Sequence, residues 1–207
     1  MKKALTTELQ TRLWETIKLI EKNSQIEMVV VLRPRSTDYL DIAWIWGIFG
    51  AWLGFTYVMF APEFFNDEIV YATPIAAFLS GFALAHLPLL TRLSIQKSRL
   101  EKCVEIMARA IFQKGGIQHT QAKIGVLVYV SWLEKRVILL ADKGAEMALP
   151  ASEWQALRVD FQGIFSERKP LDALIAQLEK SQLVFTRYLP PIANDINELP
   201  DNLDVDL

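Results

Sequence analysis

The amino-acid sequence predicts an α/β protein whose polar domain is interrupted by a transmembrane helical hairpin. Two stretches, 42–61 and 69–90, contain no Asp, Glu, Lys or Arg, and each has about the 20 residues that a helix needs to cross a bilayer. On either side, amphipathic helices alternate with short β-branched runs. The chain therefore divides into a first part of the α/β domain (1–38), the hairpin (39–91), a second part of that domain (92–189) and an acidic tail (190–207).

The first polar part is expected to contain one helix and one strand. Apolar residues recur at helical spacing from Leu9 to Ile20. The run EMVVVL at Glu27–Leu32 has the continuous apolar character of a strand that is buried on both faces. One helix and one strand cannot bury their own apolar faces, so this part must pack against another part of the chain.

The second polar part is expected to supply the rest of that core. A strand at Glu27–Leu32 can pair in parallel with one at Ile124–Trp132 through a crossover that includes the hairpin, which gives a single α/β domain. The predicted elements are a helix at Ser98–Lys114, strands at Ile124–Trp132 and Arg136–Asp142, and helices at Pro150–Phe165 and Pro170–Tyr188. The tail that follows is acidic and poor in aromatic residues, which predicts an extended or disordered segment.

Basic residues around the hairpin predict its orientation. They precede it at Arg33 and Arg35 and follow it from Arg92 onward, whereas the loop Pro62–Glu68 has none. Both termini should therefore be cytoplasmic and the loop external.

The single cysteine, Cys103, fits a reducing compartment, and a bacterial inner membrane is the simplest location. The lipid bilayer is thus the first predicted partner, and a net charge of −2 gives no indication of nucleic-acid binding.

Four motifs extend over nearly the whole chain. They are the early helix leading into EMVVVL, the segment ARAIFQKGGIQHTQAKIGVLVYVSWLEKRVILLADKG, Trp154 in the next helix, and the close LPPIANDINELPDNL. Together they resemble the TPM domain family, which includes thylakoid-lumen proteins of photosystem repair, a nematode acetylcholine-receptor modulator and bacterial membrane proteins with two central membrane helices. The resemblance implies a small α/β/α sandwich. It also implies either an accessory role beside a membrane complex or, for some members, a phosphatase activity with a bound divalent cation.

Two sets of acidic residues are candidate cation sites. Asp142, the candidate catalytic residue, and Glu146 flank Gly144 just after a strand, a common position for metal-binding carboxylates. The favoured alternative is a solvated loop that caps the next helix, because metal catalysis needs a converging set of ligands. The acidic residues of Pro62–Glu68 could hold calcium, but they more simply form a translocated polar turn.

The hairpin contains two features of functional interest. Gly47, Gly50 and Gly54 share one face of the first helix, and small residues allow helices to approach closely. Pairing with the second helix is the favoured use of this face, and binding of a partner or of a second copy is the alternative. His86 is the one titratable residue within the apolar stretches, so it is either functional or a neutral side chain that bonds a backbone carbonyl or a headgroup.

The leading hypothesis from these observations is a non-enzymatic, membrane-anchored accessory protein that binds or modulates another membrane protein or complex. The alternative is a divalent-cation-dependent phosphatase that uses Asp142. A channel or transporter is disfavoured, because two helices with one histidine do not form a lined pathway without oligomerisation.

Overall fold

The computed structural model describes residues 7–120 and 122–192, which form a mixed α/β protein. The chain divides into two compact units. The α/β unit comprises the chain up to Ser36 and from Glu101 onward, and the hairpin unit comprises Thr37–Leu100. The elements are α1 (Thr7–Asn23), β1 (Glu27–Arg33), α2 (Leu40–Phe60), α3 (Asp67–Leu84), α4 (Pro88–Ser94), α5 (Lys97–Lys114), β2 (Gly125–Ser131), β3 (Arg136–Ala141), α6 (Lys143–Ala148), α7 (Ala151–Gly163) and α8 (Pro170–Tyr188).

The three strands form one sheet in the order β1-β2-β3. Strands β1 and β2 are parallel, in a register that runs from Glu27 opposite Gly125 to Arg33 opposite Ser131. The predicted parallel pairing between the two parts of the chain is therefore confirmed. Strand β3 is antiparallel to β2 and follows it through a short turn. Every residue of the central strand β2 is buried, which explains its nearly continuous apolar sequence.

Helices cover both faces of this sheet. Successive residues of a strand point to opposite faces, so alternate residues of β1 and β2 enter two separate cores. One core joins Met28, Val126 and Val128 to buried residues of α1, α7 and α8. The other joins Val29 and Leu127 to buried residues of α5. The α/β unit thus buries the apolar faces of both of its sequence segments in shared cores.

Several element boundaries differ from the sequence predictions. The predicted helix at Pro150–Phe165 ends at Gly163 and continues as a single 3₁₀ turn. The short helix α6 was not predicted at all, because its six residues KGAEMA are too few to show a period. At the end of the described chain, α8 ends at Tyr188, before the two prolines. The predicted acidic tail lies outside the described residues from position 193 onward.

The largest difference concerns the second apolar stretch. A single helix over 69–90 was predicted, but α3 ends at Leu84 and a separate helix, α4, begins at Pro88. The prediction was wrong because proline lacks a backbone N–H and disfavours helical geometry in the residue before it. Leu87 accordingly has an extended backbone. The hydroxyl of Thr91 donates to the carbonyl of Ala85 at 2.5 Å, which satisfies a carbonyl that the end of α3 leaves free.

Candidate functional site

Helices α2 and α3 expose a large apolar surface. With 21 and 18 residues, both are long and apolar enough to cross a membrane. Only 17% of the most apolar window of α2 and 6% of that of α3 are buried, whereas a soluble core helix would be mostly buried. The largest exposed side chains include Trp44, Ile48, Trp52 and Tyr57 of α2 and Tyr71, Ile75 and Leu79 of α3. A continuous apolar surface of this kind marks a contact with protein or membrane.

The glycines of α2 lie at its contact with α3. A Cβ added to Gly50 would lie 2.4 Å from the carbonyl oxygen of Ala77, and one added to Gly54 would lie 2.8 Å from the Ala77 Cβ. A Cβ on Gly47 would lie 2.7 Å from a side chain of α3, and one on Gly81 of α3 would lie 2.3 Å from a carbonyl oxygen of α2. The two backbones therefore approach closely, and the face of α2 that bears its three glycines is occupied by α3.

An ion pair joins the two ends of the hairpin unit. The Arg99 guanidinium donates to both carboxylate oxygens of Asp41, at 2.5 and 3.0 Å. The same guanidinium lies 5.7 Å from the centroid of the Tyr39 ring. Two parallel N–H···O bonds fix the relative orientation of the two side chains better than a single contact does. The start of α2 and the start of α5 are thus held together at the base of the hairpin.

His86 lies in the turn between α3 and α4, and not within a helix as the sequence predicted. Its Nδ1 is 2.9 Å from the carbonyl oxygen of Phe82, and its ring lies 5.2 Å from the Phe82 ring. The helical placement was wrong because α3 ends before Pro88. Contact with a backbone carbonyl, the alternative role for this histidine, is the arrangement found.

Asp142 is placed at the start of α6. Its Oδ1 accepts a hydrogen bond from the Lys143 backbone N–H at 2.7 Å, while its Oδ2 is enclosed and has no hydrogen-bond partner in the described chain. Glu146 is exposed one turn further on. A Cβ on Gly144 would lie 2.4 Å from the Ala122 carbonyl oxygen, so glycine is needed where this turn meets the segment before β2. Asp142 and Gly144 of the Asp-Lys-Gly motif thus have structural explanations.

No metal-binding cluster occurs in the described ranges 7–120 and 122–192, since no three or more His, Cys, Asp or Glu residues come together there. Asp67 and Glu68 occupy the exposed first turn of α3, where negative charge is favourable to the helix dipole. Glu63 is exposed in the preceding loop. The acidic loop therefore has a structural explanation that requires no cation.

Sequence analysis missed a buried polar cluster at the carboxyl ends of β1 and β2. It consists of Ser36, Tyr129, Ser131 and Glu134, and Glu134 is only 2% exposed. The Ser36 hydroxyl donates to the Ser131 hydroxyl at 2.9 Å, and the Ser131 hydroxyl donates to the Glu134 carboxylate. The Ser36 backbone N–H also donates to that carboxylate, at 3.0 Å. The cluster fixes the last residue of the first sequence segment against the turn between β2 and β3.

The hydrogen bonds of this cluster run in one direction. A carboxylate only accepts hydrogen bonds, and each serine hydroxyl has one hydrogen to donate. Because the hydrogen of Ser36 points to Ser131, the Tyr129 hydroxyl must donate to the Ser36 oxygen, 2.9 Å away. Burial raises the pKa of Tyr129 above its ordinary value of 10.0. The sequence shows only that polar residues lie near an apolar strand. It does not show which of these residues contact one another in the fold.

Comparisons with known proteins identify the fold and not the function. No protein-family model matches the chain, and no curated protein matches it. Among solved structures, the chain is similar to the NMR structure of the BA42 protein from the psychrophilic bacterium Bizionia argentinensis, with a TM-score of 0.58 and 20% sequence identity. The match covers 95% of this chain and 92% of that one. Similarity at this identity shows a shared α/β fold alone.

The contact between α2 and α3 predicts that Gly50→Ala destabilises the hairpin. The added Cβ would press on backbone and force the helices apart, so we expect a loss of about 1–3 kcal/mol in the free energy of unfolding. The measurement is SDS titration in mild detergent, followed by tryptophan fluorescence. Gly163→Ala is the matched control, since nothing lies within 4 Å of its added Cβ. Equal stability of Gly50→Ala and the original chain would contradict the close contact.

The buried cluster predicts an unusual alkaline titration for Tyr129. The pKa of Tyr129 is higher in the folded state than in the unfolded state, where it is about 10. The contribution of Tyr129 to the free energy of unfolding is therefore complete below about pH 10 and is lost as the pH rises through the folded-state pKa. Subtracting the tyrosinate absorbance of Tyr129→Phe from that of the original chain should give a midpoint above 10. At neutral pH the variant should lose about 1 kcal/mol of stability with the hydrogen bond to Ser36. If the midpoint of this difference titration lies at or below that of a free tyrosine amide, the Tyr129 hydroxyl is not buried as described.

Proposed function

We propose that this protein is a membrane-anchored accessory protein of TPM type. In this proposal α2 and α3 cross the bacterial inner membrane, and the α/β unit is a cytoplasmic α/β/α sandwich whose helical anchor binds another membrane protein or complex. The observation that carries the proposal is the exposure of α2 and α3, of which only 17% and 6% of the most apolar windows are buried. Burying that surface in lipid and protein removes it from water.

The dimensions and hydrogen bonds of the hairpin support a bilayer environment. At a rise of about 1.5 Å per residue, α2 is about 31 Å long and α3 about 27 Å, close to the thickness of the hydrocarbon core. The hydroxyls of Thr56, Thr73 and Ser80 each donate to the carbonyl four residues earlier, at 2.7–2.8 Å. Polar groups in lipid must be satisfied within the protein, and these three are.

The orientation follows from the distribution of charge. The segment between α2 and α3 carries Glu63 but no Lys or Arg, and basic residues lie on both flanks of the hairpin. The bias of Lys and Arg in short loops favours an external loop and a cytoplasmic α/β unit. Both termini would then be cytoplasmic.

The candidate catalytic residue of the α/β unit has a structural role. Asp142 caps α6, and residues 7–120 and 122–192 contain no converging set of metal-ligating side chains around it. The alternative remains a divalent-cation-dependent phosphatase that uses Asp142, whose enclosed Oδ2 has no hydrogen-bond partner among the described residues.

The surface for a partner lies on the outer side of α2. The glycines face α3, so they are not free for the partner contact considered from the sequence. Ile48, Trp52, Phe55 and Met59 follow one another at intervals of three or four residues and are each 51–61% exposed. These four residues form the outer stripe of α2, and at this spacing they lie on one side of the helix. Either another membrane protein or a second copy could pack against this stripe.

This proposal predicts that the tagged protein purifies with a stoichiometric membrane protein. The experiment is affinity purification from its own membranes in mild detergent, followed by mass spectrometry and native mass measurement. The double variant Ile48→Ala/Trp52→Ala should lose most of the partner, because large side chains in packed contacts carry most of the binding energy. Tyr71→Ala/Ile75→Ala on α3, which are also exposed, form the matched control.

Two outcomes would contradict the accessory role. Purification of the protein as a monomer with no co-purifying protein would mean that the partner required by the accessory role is missing. Hydrolysis of a phosphomonoester that requires a divalent cation, and that Asp142→Asn abolishes while the fold stays intact, would favour the phosphatase instead.

A further inference from the structure

The segment that connects α3 to α5 has an apolar surface that the two long helices do not explain. Helix α4 exposes Leu89 and Leu93, which are 69% and 74% accessible and lie one helical turn apart. Leu87, directly before the helix, is 50% accessible. A helix of seven residues is too short to cross a bilayer, so these leucines need another apolar environment.

The hydrogen bonds of α4 fix its level along the hairpin. The Trp46 indole N–H donates to the Ser94 hydroxyl at 2.9 Å. Trp46 is six residues after the start of α2, so this contact lies about 9 Å along the axis from the base of the hairpin. The bond from Thr91 to Ala85 ties the middle of α4 to the end of α3. Helix α4 is therefore held near the base, at the depth where tryptophan marks a membrane interface.

The charge of this segment is positive and is not neutralised from within. No Asp or Glu occurs from Ile69 to Leu100. Arg99 is paired with Asp41, but neither Arg92 nor Lys97 has an ion-pair partner in the part of the chain that the structure describes. Unpaired cations beside exposed leucines complement a surface that presents anions above acyl chains.

We propose that α4 is an interfacial helix that binds anionic phospholipid at the cytoplasmic surface. Leu89 and Leu93 enter the upper part of the acyl chains, and Arg92 and Lys97 contact the phosphates of the headgroups. The inference rests on the proposed membrane insertion of α2 and α3, and it adds a class of ligand and a named site. It also gives the break before Pro88 a role, since the break makes α4 a helix separate from α3.

The depth of two spin labels tests this inference and separates it from the parent proposal. Single cysteines replace Leu93 or Ile48 in a Cys103→Ser background, and the labelled full chain is placed in nanodiscs of phosphatidylcholine with phosphatidylglycerol. Oxygen and an aqueous nickel chelate then report exposure to lipid and to water. We expect the label that replaces Ile48 to lie deep in the hydrocarbon and the label that replaces Leu93 to lie just below the headgroups. A water-exposed Leu93 beside a deep Ile48 overturns the inference alone, and a water-exposed Ile48 overturns both proposals.

The selectivity of the protein for anionic lipid tests the proposed role of Arg92 and Lys97. Native mass spectrometry of protein released from mixed nanodiscs gives the ratio of phosphatidylglycerol to phosphatidylcholine that stays bound. Arg92→Gln/Lys97→Gln should lower this ratio at least about fivefold, since each cation near an anionic surface contributes about that factor. The control, Arg168→Gln/Lys180→Gln, removes two exposed cations from the α/β unit and should leave the ratio unchanged. An equal fall in both variants, or in neither, overturns the assignment.

Discussion

The parallel pairing of β1 with β2 is the interaction on which the rest of the α/β unit depends. It brings together Glu27–Arg33 and Gly125–Ser131, which are separated in sequence by the whole hairpin unit. Because this pairing makes one sheet from two distant segments, α1 can share a core with α7 and α8. The cluster of Ser36 with Glu134 completes the junction with buried hydrogen bonds just beyond the strand. A long excursion of the chain is thermodynamically acceptable, since the cost of closing a loop grows slowly with its length.

The hairpin unit is packed differently from the α/β unit. Its two helices are in close backbone contact at Gly50 and Gly81, its hydroxyl groups are bonded within their own helices, and much of its apolar surface faces outward. The α/β unit instead buries its apolar side chains and pairs the buried carboxylate of Glu134 with hydrogen-bond donors. The two units thus differ in how much of their apolar surface they leave exposed. This difference is the physical basis for proposing a membrane anchor joined to a binding domain.

The sequence predicted features that depend on local pattern. The continuous run EMVVVL predicted a strand buried on both faces, and the spacing of Gly47, Gly50 and Gly54 identified the face of α2 that meets α3. It did not predict the end of α3 at Leu84, since hydropathy alone does not register the constraint that Pro88 places on Leu87. Nor did it predict the cluster around Glu134. A charged residue in a turn is normally solvated, and only the folded sheet brings it to Ser36.

The proposed membrane anchor requires the hairpin to cross a membrane with its loop outside. Labelling Asn66→Cys in a Cys103→Ser background with an impermeant maleimide in intact cells tests it most directly. Asn66 is exposed and its side chain makes no capping hydrogen bond, so the substitution should leave α3 intact. A cysteine in place of the exposed Gln113 of the α/β unit is the control. If the hairpin spans the membrane with its loop outside, position 66 is labelled while position 113 is protected until the cells are permeabilised. Protection of position 66, or equal labelling of both positions, rules this topology out.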